Sequence, residues 1–206
     1  MATIYIPFYS RYGNVEQMAL AVAEGVVAGG GVPVLAFTGD VMTPAEVIAS
    51  DPRWQATHER LLATYPLVSG DALAAADGAC FGSPTRYGNM AAQMKNYFDS
   101  LAGVWLAGST IGNPAGFFTS TATLHGGQET TCLTAYTCLI HMGFVIVGVP
   151  YSVPELFTTT TGGSPYGPGH VAGATGEIPV DDTEKAVCRA LGSRVAKIAE
   201  ALKGLS

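Results

Sequence analysis

Apolar and polar positions along the chain follow two rhythms. Short, nearly unbroken apolar runs at residues 3–9, 33–37, 78–82, 115–120 and 144–149 predict strands buried on both faces, the pattern of a parallel sheet. Between them, apolar residues recur every third or fourth position. Val15, Met18, Val22 and Val26 predict a helix that begins near Asn14, with Gln17 placed to close a capping box, and stops at Gly29-Gly30-Gly31. A short helix capped by Thr43-Pro44 follows the second strand. Met90, Met94, Tyr97, Phe98 and Leu101 predict a helix that faces the core, and another runs from about Gly127 to His141. The last starts at Thr183, aligns Val187, Leu191, Val195, Ile198 and Leu202, and ends before Gly204.

Three places resist this pattern. Pro7 sits inside a run that reads as a central strand, where every N–H is needed, so it is expected at a bulge or an unpaired position. Residues 40–76 continue past the short helix as a poorly patterned stretch through Trp54 and His58. Residues 150–180 are rich in Gly, Pro and Thr and contain no periodic element. A loop of that length is a functional segment or an assembly arm.

Strands alternating with helices make an α/β domain. Its 206 residues suit one domain over 1–206, at about 100–200 residues per domain. The five runs suit a flavodoxin-like parallel sheet of order 2-1-3-4-5 with helices on both faces, whose ligands bind beyond the strand ends at the switch point between strands one and three.

The loops leaving strands one, three and four therefore carry the candidate chemistry. The first is Tyr9-Ser10-Arg11-Tyr12-Gly13-Asn14, followed by Val15. Its hydroxyls, glycine and asparagine fit a turn around a phosphate at a helix N-terminus. It has neither the lysine of a P-loop nor a GxGxxG. The second, Ser83-Pro84-Thr85-Arg86-Tyr87-Gly88-Asn89, offers hydrogen bonds and a flat phenol face. The third, Ser120-Thr121-Ala122-Thr123-Leu124-His125-Gly126-Gly127-Gln128-Glu129, is small and polar with paired glycines. A phosphate site, a ring plane and a heterocycle edge at successive strand ends point to one nucleotide-like ligand.

Composition narrows the class. The net charge is −6 without a basic run, which argues against nucleic acid and anionic membrane as partners. Charged residues make up only 13%, against about 25% on average, so part of the surface is expected to be buried in an oligomer. No basic segment precedes the first apolar run and no stretch is long enough to span a bilayer. Cys80, Cys132, Cys138 and Cys188 show no CxxC spacing and are expected to be buried, reduced thiols of a cytoplasmic protein. His58-Glu59 opens like HExxH, but Leu62 stands where the second histidine belongs, so no metal site is expected.

The motifs Y-S-R-Y-G-N, G-S-P-T-R-Y-G-N-M, G-G-Q-E and the later G-G-S-P-Y-G resemble the WrbA family of flavodoxin-like NAD(P)H:quinone oxidoreductases, least so across residues 40–76. The resemblance implies FMN as cofactor, NADH or NADPH as reductant and a quinone as acceptor. It implies that Ser10, Arg11, Tyr12, Gly13, Asn14 and Val15 hold the FMN phosphate. Thr85, Arg86 and Tyr87 would contact the isoalloxazine. Ser120, Thr121, Ala122, Thr123, Leu124 and His125 would hold its other edge and the ribityl chain. Tyr12 would also lie near the nicotinamide nucleotide and Trp105 would line the substrate pocket. His141 would approach the flavin from a neighbouring subunit of a homotetramer and could protonate the quinol oxygen. The chain departs from the family at Ala122-Thr123-Leu124-His125, where many members are glycine-rich, and at Val15, which replaces a hydroxyl found in flavodoxin phosphate loops. A one-electron carrier, a redox-sensing regulatory protein and an azo-dye or free-flavin reductase are the rival functions.

Overall fold

A computed structural model describes residues 1–203; Gly204, expected just past the last helix, lies outside them. The strands in chain order are β1 (Thr3–Phe8), β2 (Val32–Phe37), β3 (Gly78–Arg86), β4 (Asn89–Met90), β5 (Pro114–Thr121), β6 (Val145–Ile146) and β7 (Gly169–Val171). Five run parallel in the order β2-β1-β3-β5-β6, the flavodoxin-like 2-1-3-4-5 arrangement. Two short additions bring the sheet to seven strands: β4 folds back antiparallel on the end of β3, and β7 pairs parallel with the end of β5. β4 takes in Met90, which periodicity assigned to a helix.

The helices are α1 (Asn14–Ala28), α2 (Ala45–Ala49), α3 (Pro52–Thr64), α4 (Gly70–Ala74), α5 (Ala92–Asp99), α6 (Ala102–Leu106), α7 (Gln128–His141), α8 (Glu155–Thr158) and α9 (Asp182–Leu202). α1 and α9 bury Val15, Met18, Val22 and Val26 against Val187, Leu191 and Val195 on one face of the sheet. α5 and α7 bury Met94, Tyr97, Phe98, Ala135 and Leu139 on the other. The two outer helices approach closely because glycines face backbone. A Cβ on Gly25 would lie 2.1 Å from the Arg189 carbonyl oxygen, and one on Gly192 would lie 2.0 Å from that of Val22.

Pro7 sits in the central strand at the expense of one rung. β1 stays in parallel register with β3 at Tyr5–Ala79 and Phe8–Gly82, with no paired residues between them. Toward β2, Pro7 keeps its partner Ala36; the offset to β3 is unchanged across the gap, so Pro7 is unpaired on its β3 side only and is not a bulge.

Helix starts differ in detail from the sequence reading. Gly13, left-handed at φ 93°, precedes α1, and no side chain caps it. The Gln17 capping box does not form because Gly13 occupies the cap position. α9 begins one residue before expectation, with Asp181 as its cap: Asp181 accepts from the Glu184 amide while Glu184 reaches back to the Asp181 amide, a complete capping box. α2 has Pro44 before it without a side-chain cap.

The stretch through Trp54 and His58 is the helix α3. Asp51 accepts from the amides of Arg53 and Trp54, and Pro52 holds the first helical position, both established start signals. Only Trp54 and Leu61 of this helix are buried, which is why no apolar stripe announced it.

Residues 150–180 are not structureless either. They contain α8 and β7, and they bury Ser164, His170 and Ala172 within the chain. All four cysteines are free thiols; Cys138 is half-buried and the others are buried. No helix among the described residues is long and apolar enough to cross a membrane.

Candidate functional site

The loops after β1, β3 and β5 converge at the C-terminal edge of the sheet and line one cleft of about 340 Å³, within the size range of small-ligand sites. Its walls include Ser10, Arg11, Tyr12, Asn14, Val15, Thr85, Arg86, Ser120, Thr121 and Ala122. Gly13 lies inside the first loop and turns it.

The first loop is built for an oxyanion. Ser10 is buried and its Oγ accepts from the Gly13 amide at 3.1 Å, which draws the loop into a tight turn. With no side chain capping α1, the amides of its first turn lack an intrahelical partner and the helix dipole faces the cleft. Glu16, the one acid of that turn, is taken out of play. Its carboxylate receives both Arg60 guanidinium nitrogens at 2.7 and 2.5 Å and the Tyr65 hydroxyl at 3.0 Å. The positive end of α1 is thus left uncompensated.

The second loop is held from below by α7. Thr131 Oγ1 donates to Thr85 Oγ1 at 2.8 Å, and Thr134 Oγ1 donates to the Gly88 carbonyl at 2.9 Å. Those anchors keep Tyr87 at φ 54°, a left-handed conformation that costs a non-glycine residue about 1–2 kcal/mol. The Tyr87 side chain is fully exposed and stands beside the cleft without lining it. Thr85 and Arg86 form the wall instead, and the Arg86 guanidinium donates back to the Thr85 carbonyl.

Of the third loop, Ser120, Thr121 and Ala122 line the cleft. Leu124 and His125 face a separate, smaller hollow with Gln128, Glu129 and residues 159–161. Thr123 accepts the Thr121 hydroxyl at its carbonyl and closes the turn. Trp105 and His141 come together, the indole N–H donating to the His141 carbonyl at 3.0 Å. They line a different cavity, of about 400 Å³, with Phe98, Leu101, Cys138 and Met142. Within one chain they do not meet the first cleft.

Pro84 of the second loop lines the cleft beside Thr85 and Arg86, and sequence reasoning missed a fourth wall, residues 172–176. β7 carries this segment to the cleft: the Ala172 amide donates to the Thr121 carbonyl at 2.7 Å, and Asn14 Nδ2 donates to the Gly176 carbonyl at 3.2 Å. Its small residues contribute backbone and no distinctive side chain, so nothing in the letters signalled it.

Beneath the cleft, at the end of β2, Asp40 is buried and fully engaged. Tyr9 and Gln93 donate to Oδ1 at 2.7 and 2.8 Å, and the Trp54 indole donates to Oδ2 at 3.2 Å. His58 brings Nδ1 to 3.2 Å of Oδ2. The histidine singled out by the partial HExxH thus faces a carboxylate, and no group of three metal-binding side chains occurs among the described residues. Burial and the Asp40 carboxylate hold the Tyr9 phenol far above its usual value.

The cleft suits FMN by its donor set: free amides and a helix N-terminus at one end, and the hydroxyl-bearing residues Thr85, Ser120 and Thr121 along its walls. Comparisons agree. The NADPH-dependent FMN reductase family matches residues 66–156. The chain is 42% identical to the NAD(P)H dehydrogenase (quinone) of Geobacter metallireducens over 207 residues, 98% of this chain and 99% of that one. It is equally identical, with the same coverage, to the protein of that name from Geobacter sulfurreducens. A flavodoxin described as WrbA-like, from Agrobacterium tumefaciens, has the same fold at a TM-score of 0.63 and 22% identity, over 98% and 99% of the two chains.

Proposed function

Because the chain belongs to the WrbA family of flavodoxin-like NAD(P)H dehydrogenases (quinone), we infer that its cleft holds FMN and that it reduces quinones with NADH or NADPH. The observation that carries this reading is the uncapped N-terminus of α1 behind the Ser10 turn, opening into a cleft walled by Thr85, Arg86 and residues 120–122. FMN, when bound, supplies a two-electron hydride relay between the nicotinamide and the quinone. Residues 10–15 hold its phosphate by amides and the Ser10 hydroxyl; where flavodoxins add a second hydroxyl, Val15 offers its amide. Thr85 and Arg86 orient the ring system along one edge and residues 120–122 along the other. Tyr87 stands at the mouth of the cleft, where a nicotinamide or a quinone would enter, and Tyr12 flanks the nucleotide.

Trp105 and His141 join this site from another copy of the chain. Exposed Trp105, Leu106, Ile111 and Ile140 on α6, the loop after it and the end of α7 form an apolar surface suited to assembly, and the sparse charge of the chain agrees. In a homotetramer, Trp105 then closes the substrate slot and His141 donates a proton toward the quinol oxygen. We expect sedimentation to give a homotetramer at all working concentrations. A monomer that reduces quinone at full rate would remove both residues from the mechanism. The cytoplasm is the compartment that suits free thiols and a soluble reductant.

Turnover tests the function. Nicotinamide and quinone must each come within roughly 3–3.5 Å of the same flavin atom for hydride transfer, so the two rings occupy that place in turn and not together. Initial rates against NAD(P)H at several benzoquinone concentrations should therefore give parallel double-reciprocal lines, with continuous NAD(P)H consumption. Stoichiometric reduction without turnover would favour a carrier or a sensor, and intersecting lines would mean two separate pockets.

A further inference from the structure

The helix α3 packs against the walls of the cleft, and one of its side chains spans two of them. Arg53 Nη1 and Nη2 donate to the carbonyls of Thr175 and Gly176, each at 2.6 Å. The same guanidinium lies 4.7 Å from the centre of the Tyr12 ring. Tyr12 in turn donates to Asp51, the cap of α3, at 2.7 Å. The fork therefore joins two cleft walls, the first loop and residues 172–176. Gly176 is enclosed by the parts of this joint: a Cβ there would lie 3.3 Å from Tyr12 Cδ2, 3.5 Å from Asn14 Nδ2 and 3.6 Å from Arg53 Nη2. α3 is itself anchored, since Trp54 donates to Asp40, Arg11 packs 3.8 Å from the centre of the Trp54 ring, and Arg60 is paired with Glu16 of α1.

We propose that Arg53 is a positioning residue that fixes residues 172–176 across the phosphate end of the cleft and so sets how long FMN stays bound. The proposal rests on the reading that the cleft holds FMN. Arg53 does not line the cleft; it acts through the two carbonyls it grips and the ring it covers. A guanidinium serves because two parallel N–H groups match two adjacent carbonyls and its plane stacks on a phenol; a lysine ammonium offers one point of attachment. Without the fork, the loop remains tied at its β7 end by the Ala172 amide and near Gly176 by Asn14. It then opens more often without the fold being lost.

The test is FMN release from holoprotein after dilution, followed by flavin fluorescence, for wild type, Arg53→Ala and Arg53→Lys. The alanine variant should release FMN about tenfold faster, the equivalent of losing a charge-assisted contact, while association changes little; the lysine variant should fall between. In FMN-free protein, hydrogen exchange at the amides of residues 174–177 should accelerate in Arg53→Ala, with an unchanged melting temperature. Equal release rates in wild type and Arg53→Ala would overturn the proposal. So would a melting temperature that falls in step with affinity, because Arg53 would then support the fold as a whole. Wild-type protein that takes up no FMN would overturn the cofactor assignment itself, and this proposal with it.

Discussion

Raising the pH from about 8 to about 11 should unfold the protein cooperatively, because buried thiols and phenols refuse to ionise where the unfolded chain does so readily. Burial pushes the thiols of Cys80, Cys132 and Cys188 up, that of Cys132 to about 12. Burial likewise pushes up the phenols of Tyr9, Tyr97 and Tyr136. In an unfolded chain thiols titrate near about 8.5 and phenols near about 10. The folded values are the raised ones. The stability these groups carry is therefore whole below the unfolded values and is lost as pH climbs through them. Each group costs about 1.4 kcal/mol per pH unit beyond that point. By pH 11 the loss is on the order of 10 kcal/mol, comparable to the roughly 5–15 kcal/mol that holds a domain together. Urea midpoints at one fixed FMN concentration should stay level from pH 7 to 8 and then fall steeply. Between pH 9 and 10 the thiols dominate, so Cys132→Ala should flatten the slope by about a third. A midpoint level up to pH 10 would show that these groups reach water before the fold is lost.

Replacing Glu184 by alanine should cost about 3–5 kcal/mol, because several buried donors lose their acceptor at once. Glu184 and His170 are both buried, with Oε2 2.7 Å from Nδ1. The other oxygen accepts from the amides of Gly162 and Val171 at 3.0 Å, and Oε2 also accepts from that of Asp181. The second imidazole nitrogen lies 3.1 Å from the Ile178 carbonyl. One carboxylate thus ties the start of α9 to β7 and to the base of the 172–176 loop. The alanine variant leaves three amides and an imidazole unsatisfied in a dry site. Its melting temperature should fall by roughly 10 °C. Glu184→Gln keeps a carbonyl for two of the amides and should lose clearly less. An alanine variant within about 1 kcal/mol of wild type would mean that water enters and replaces the carboxylate.

What the sequence made legible was what repeats locally. The apolar runs of β1, β3 and β5 and the stripes of α1 and α9 report burial residue by residue, and the strand order follows from their alternation. α3 escaped because it buries only Trp54 and Leu61; its start signal, Asp51-Pro52, was nonetheless present. The cleft was legible in three walls of four. Its fourth arises from the pairing of β7 with β5, Thr119 opposite Gly169, fifty residues apart in the chain, and such pairing leaves no local trace. His170 and Glu184 escaped for a related reason, since each looks like an ordinary loop or helix residue until β7 brings them together. Trp105 and His141 were assigned by resemblance alone; within one chain they line a second cavity together and do not meet the cleft.

The contact of Gly25 and Gly192 limits how this lineage can vary. Each glycine faces main chain of the opposite helix, not a side chain. An enlarging change at either position consequently has no compensating partner, since no second mutation trims a carbonyl. Drift at these sites requires α1 and α9 to separate as whole bodies, and α1 continues directly from the turn of residues 10–13 that walls the cleft. The two positions should therefore behave as a fixed point around which the rest of the sequence diversifies, and recombination between distant relatives should succeed only where it inherits both helices together.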